Sequence, residues 1–218
     1  CYNQFINSNI TTDATILSLA HYNIAYCHFE LGNYDKARSS FDHFVKLKGN
    51  TKQLIIDANS RIGDCYFHDE EYATAEKYYA TAANKNGTGS DYALLQQAIA
   101  TGLNKNYTKK TKLLQKLIDQ YPQSEYGEEG HSELGNTYIS LNKHTEAINT
   151  YKALIEKYPM SSSARIAMLQ TGAIYYNLKD IDNAIAAYKN LIIQHPTSNE
   201  AKVAVEDLQS IYIEQNQI

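Results

Sequence analysis

The sequence predicts an all-α protein built from about five repeated helix pairs, and three observations carry that prediction. All three prolines, Pro122, Pro159 and Pro196, lie 37 positions apart, each with a serine two residues on (Ser124, Ser161, Ser198). Counting back from them, small residues recur at Ala98, Gly135 and Gly172, and again at Ala147 and Ala184, Lys110 being the exception in the second set. Towards the N-terminus the same frame finds Ala25 and Gly63, then Ala37 and Ala75, at spacings of 35 to 38 residues. Apolar residues return at helical intervals within each period, as in Ile166, Leu169, Ala173 and Tyr176, followed by Ile181, Ala184, Ile185, Tyr188, Leu191 and Ile192. A period of this length is the signature of stacked repeats.

Each element has a local reason. Proline cannot continue a helix and disfavours helical geometry in the residue before it, so Tyr121, Tyr158 and His195 are expected to end a second helix. The serine that follows can accept from a free amide of the next helix, an N-cap worth about 0.5–2 kcal/mol. The small residues mark where two helices cross closely. In order, residues 1–10 read as the tail of an earlier repeat, with Tyr2, Phe5 and Ile6 on one helical face. Five repeats follow at 14–50, 51–89, 90–123, 124–160 and 161–197, within a single array. Residues 198–218 read as the first helix of a sixth repeat or a capping helix, so both ends are expected to belong to a longer chain.

The order small residue, Tyr, Gly or polar turn, Tyr or Ile, Ala, aromatic and Pro resembles the tetratricopeptide repeat. The fifth repeat reads Gly172, Tyr175, Lys179, Ile181, Ala184, Tyr188 and Pro196; the fourth reads Gly135, Tyr138, Asn142, His144, Ala147, Tyr151 and Pro159. The first runs Ala25, His28, Gly32, Tyr34, Ala37 and Phe41, and the second Gly63, Tyr66, Glu70, Tyr72, Ala75 and Tyr79. The third keeps Tyr107, Leu114 and Pro122 but has Thr101 where an aromatic is usual. The resemblance implies a right-handed superhelical solenoid of helix-turn-helix repeats whose first helices form an inner wall.

Carried over place by place, that wall takes Tyr22, Tyr26 and Phe29 from the first repeat and Ser60, Asp64, Phe67 and His68 from the second. It takes Tyr92, Leu95, Ile99 and Leu103 from the third, then Glu129, Ser132, Asn136 and Ile139, then Leu169, Ala173, Tyr176 and Asn177. No lysine or arginine stands at these places, whereas family members that grip chaperone tails carry lysine and asparagine there. The implied partner is a protein or peptide segment, apolar on one side and basic on the other, held in an aromatic groove edged by Glu30, Asp64 and Glu129.

Composition sets further bounds. The chain is 43% hydrophobic, its aromatics are 19 Tyr and 5 Phe, and its net charge is −4, so no basic face for nucleic acid is expected. Most tyrosines fall at repeat places, as core filling with the hydroxyl at the edge. No apolar run is long enough to span a membrane. Cys27 and Cys65 occupy equivalent places in consecutive repeats and read as small buried residues, too far apart for a disulfide. Cys1 is open to two readings, a lipid-bearing terminus or a chain boundary.

His21 and His28 share a helical face without a third ligand at zinc spacing, and read as satisfied core or edge histidines. No nucleophile motif, phosphate loop or paired catalytic carboxylates stand out, so no enzyme activity, metal or cofactor is expected. Asn9, Asn86 and Asn106 match the glycosylation sequon weakly. The function implied is a non-catalytic scaffold; the alternative is an accessory module of a larger enzyme or signalling protein. In texture the chain also resembles large multi-repeat proteins of Bacteroidetes and envelope repeat proteins of outer-membrane assembly and the Tol-Pal system. That implies a periplasmic or outer-membrane setting, and leaves the oligomeric state open.

Overall fold

In the computed structural model residues 14–216 are described, and they hold eleven helices and no strand. The helix tail expected at residues 1–10, with Cys1, and the sequon at Asn9 lie outside the described residues. The helices fall into two compact units divided after Tyr126. The first holds three hairpins: α1 (Ala14–Glu30) with α2 (Tyr34–Lys46), α3 (Lys52–His68) with α4 (Tyr72–Ala83), and α5 (Ser90–Leu103) with α6 (Tyr107–Gln120). The second holds α7 (Gly127–Ser140) with α8 (His144–Lys157), α9 (Ser162–Asn177) with α10 (Ile181–Gln194), and α11 (Asn199–Asn216). In each unit a second helix packs on its own first helix and on the next one, and successive first helices also meet, as α1 with α3 and α3 with α5.

The crossing point inside a hairpin explains the small residues. A Cβ added to Gly63 would come within 2.6 Å of the Tyr79 ring, and one added to Gly172 within 2.5 Å of Tyr188. Gly135 is closer still to Tyr151. Where the anchor is alanine, the residue sixteen positions on is not tyrosine: Ala25 is followed by Phe41 and Ala98 by Leu114, all four fully buried.

Hairpin turns share one conformation. Gly32, Glu70, Lys105, Asn142 and Lys179 all have φ between +56° and +70°. At each, the amide of that residue bonds the carbonyl three back, and the next amide bonds the carbonyl five back, as in Lys179 to Tyr176 and Asp180 to Tyr175. This left-handed close satisfies carbonyls that a helix end leaves free.

At the other end, Tyr121, Tyr158 and His195 terminate α6, α8 and α10, as their prolines require. Ser161 and Ser198 accept from the amides of Ala164 and Ala201 at 3.0 Å, as N-caps. Ser124 departs from the pattern: its hydroxyl accepts from the Tyr126 amide and donates to Asp91 at 2.7 Å. The next helix starts only at Gly127, three residues on, whereas Ser161 and Ser198 directly precede theirs, so Ser124 lies too early to be the N-cap.

Cys65 is enclosed by Phe41 and Phe44 of α2 and their neighbours, and burial pushes its thiol up to about 12. Cys27, expected buried, is exposed; both of these thiols are free. His28 is also not the satisfied histidine expected, since its Nδ1 is buried without a hydrogen-bond partner.

Candidate docking groove

The face shared by α1, α3 and α5 is organised around Arg61, a side chain that stands at none of the family's groove places. Asp57, Arg61 and Asp64 stand four and three residues apart on α3, which puts them on one stripe. Arg61 donates to Asp64 Oδ2 at 2.6 Å and, through Nε, to the Tyr26 hydroxyl at 3.2 Å, and its Nε lies 3.5 Å from Asp57 Oδ1. The Tyr22 and Tyr26 hydroxyls donate to Asp57 Oδ2 at 2.6 and 2.5 Å. From the other side the Tyr79 and Tyr92 hydroxyls both donate to Asp64 Oδ1 at 2.8 Å. The guanidinium carbon lies 5.3 Å from the Tyr92 ring centre and 5.8 Å from that of Phe29.

The electrostatics follow from this enclosure. Burial works against the charge on Arg61, but the Asp64 carboxylate and its neighbours outweigh it and hold the guanidinium firmly protonated. Burial holds the Asp64 carboxyl above its ordinary value, and Arg61, Tyr92 and Tyr79 limit the rise. Tyr22, Tyr79 and Tyr92 are pushed up, first by burial and then by the carboxylates they bond. Four tyrosine hydroxyls and one arginine therefore satisfy two half-buried carboxylates, only one of which is balanced in charge, and the network ties α1, α3, α4 and α5 together.

Beside the network lies a cavity of about 250 Å³ between α3 and α5, lined among others by Ile56, Asp57, Arg61, Asp91, Tyr92, Glu125 and Tyr126. The Tyr92 and Tyr126 rings are 5.5 Å apart and inclined at 58°.

The expected wall residues divide accordingly. Tyr22, Tyr26, Phe29, Asp64 and Tyr92 converge on Arg61 or its partners. Tyr26 is also core, its ring 4.9 Å from Tyr22 and 5.3 Å from Phe41. Phe67 packs on Tyr72 at the hairpin turn, and the exposed His68 lies 4.2 Å from the Tyr34 ring. Leu95 corrects the expectation outright: it is fully buried in the core and presents nothing to a groove. Ile99 is half-buried. In the second unit the exposed Asn136 accepts from Tyr151, Tyr176 donates to Glu214, and Asn177 is exposed at the end of α9. A small cavity of about 190 Å³ lies beside Tyr176 and Asn177, with Asp207 and Tyr188 in its lining.

No lysine or arginine stands at the expected places, but in the first unit Arg61, at a place the carry-over did not include, lines the same face. The family places point one residue away, at Ser60, whose side chain is buried and bonds the Ile56 carbonyl. The helical spacing of Asp57, Arg61 and Asp64, matched by Tyr22 and Tyr26 one repeat earlier, is the signal that could have found it. Among the described residues no helix is long and apolar enough to cross a membrane.

Three sequence models of the tetratricopeptide repeat match, at residues 18–50, 92–124 and 132–199, together more than half of the chain. No curated protein matches the sequence. Among solved structures, YrrB, described as a TPR protein with an unusual peptide-binding site, is 16% identical over 94% of this chain and 98% of its own, with a TM-score of 0.66. A MamA protein is 18% identical over 82% of this chain and 92% of its own, at a TM-score of 0.67. MamA from Desulfovibrio magneticus RS-1 is 12% identical over 84% and 97%, at 0.63. Paired helices at a regular period, closed by the same turn and the same small-to-large contact and matched by these repeat models, make this chain a member of the tetratricopeptide-repeat family.

Proposed function

We propose that the chain is a non-catalytic scaffold that docks a protein segment along the α1–α3–α5 face of its first unit. The observation that carries the reading is the Arg61 network. A half-buried guanidinium clamped by two carboxylates and ringed by Tyr22, Tyr26, Tyr79 and Tyr92 fixes a polar, aromatic surface in place before any partner arrives. Rigid placement of this kind lowers the entropic cost of association. The peptide-binding site described for YrrB supports the same use of the fold, by analogy. The repeat borders expected from the sequence are part of the proposal, as is a role in a bacterial envelope assembly, which rests on sequence resemblance alone.

A crosslinked pulldown from native cells, with the intact chain and a Tyr92→Ala, Tyr126→Ala variant as baits, tests the reading. Envelope proteins captured by the first and lost by the second support it, provided the two baits melt alike. Equal capture by both places the interaction elsewhere on the molecule.

A further inference from the structure

We infer that the cavity between α3 and α5 is an anchor pocket for an arginine side chain carried by an extended, basic segment of the partner. The inference rests on the docking reading of the same face and names the chemistry of what docks there. Size comes first: about 250 Å³ is below the usual range for a cofactor or drug-sized ligand and suits one long side chain. Chemistry comes second. The Tyr92 and Tyr126 rings and Ile56 give the cavity apolar walls, and Asp57, Asp91 and Glu125 give it a carboxylate rim.

The protein already shows how these walls treat a guanidinium. Arg61 lies against one side of the cavity, 5.3 Å from the Tyr92 ring centre, with its nitrogens 2.6 Å from Asp64 and 3.5 Å from Asp57. Ring face plus carboxylate is the combination a second guanidinium would meet in this cavity, which Tyr126, Asp91 and Glu125 also line. Asp91 is half-buried and accepts from the Ser124 hydroxyl at 2.7 Å, which holds its carboxylate in position. With four carboxylates near one guanidinium the local potential is negative, which favours a cation and disfavours a peptide carboxylate or a phosphate. Arginine suits better than lysine because a planar guanidinium can lie against a ring and still reach a carboxylate edge-on.

The test uses the full chain and an immobilised array of short random peptides, grouped by a fixed central Arg, Lys, Leu or Glu. Arg-centred pools should be retained most, Lys-centred next, and the preference should shrink with added salt. Asp91→Asn combined with Glu125→Gln should cut retention of the Arg pool roughly tenfold and leave the Leu pool unchanged. Circular-dichroism melts verify folding, and Glu125→Gln alone, at an exposed position, gives the readout if the double variant melts early. Retention without any preference at the centre would overturn the arginine pocket and leave the docking face standing. No retention of any pool would overturn both.

Discussion

At Gly63, Gly135 and Gly172 the identity of one residue depends on the ring sixteen positions further on, because a Cβ there would strike Tyr79, Tyr151 or Tyr188. Those rings have little room to retreat. Each is buried, and the Tyr79 and Tyr151 hydroxyls are tied to Asp64 and Asn136. Gly172→Ala should therefore destabilise the protein by about 1–3 kcal/mol, the usual cost of forcing an extra carbon into a packed core. Tyr188→Leu in the same chain recreates the pairing seen at Ala98 and Leu114 and should recover part of the loss, which a urea double-mutant cycle measures. A second residue-scale expectation concerns His131, buried with its Nδ1–H donating to the Gly127 carbonyl at 2.6 Å. Burial lowers its pKa below the ordinary 6.5. The unfolded chain thus binds the proton more readily, so this stability is present above pH 6.5 and is lost as pH falls towards the depressed folded value. Thermal melts at pH 7.5 and 5.5 should show the loss, and His131→Gln should flatten it. The small-residue beat was legible in the sequence, but its partners were not, since tyrosine at a repeat place reads only as core filling. Arg61 was hidden for a related reason: its role depends on side chains from three repeats.

Elements end where the chain chemistry tells them to, and the hairpin turns add a rule the sequence states only faintly. Five turns use a left-handed residue, yet only Gly32 is glycine; Glu70, Lys105, Asn142 and Lys179 carry side chains there. Glycine adopts that conformation without the steric cost of a Cβ. Replacing Lys179 or Glu70 with glycine is expected to stabilise the fold by roughly 0.5–1 kcal/mol, visible as a higher midpoint in chemical denaturation with an unchanged slope. The proline-led ends of α6, α8 and α10 were readable directly, because proline acts within its own segment. Ser124 was not, because α7 starts at Gly127, two residues later than the proline spacing implies, and the serine hydroxyl bonds Asp91 of α5 instead.

Across the whole molecule, stability is set by each hairpin and by its neighbours in the stack. A lesion such as Gly63→Ala should lower amide protection in α3, α4 and the adjoining α5, while α9 to α11 keep theirs in native-state hydrogen exchange. Family and helical architecture were legible because they repeat, and repetition turns weak local signals into a strong one. The candidate docking face was half legible: five of its expected residues converge on Arg61 or its partners, whereas Leu95 faces the core and Phe67 and His68 turn to the hairpin end. The short reach of the ring-on-glycine contact has a mechanical side as well. Because three of the hairpins are latched by residues only sixteen apart, tension applied to the chain need break one such latch at a time. A 37-residue repeat freed in this way spans about 120–130 Å when fully extended. Anchored at both ends, such a chain behaves as a stepwise extensible tether that yields in discrete lengths and re-coils when the load drops.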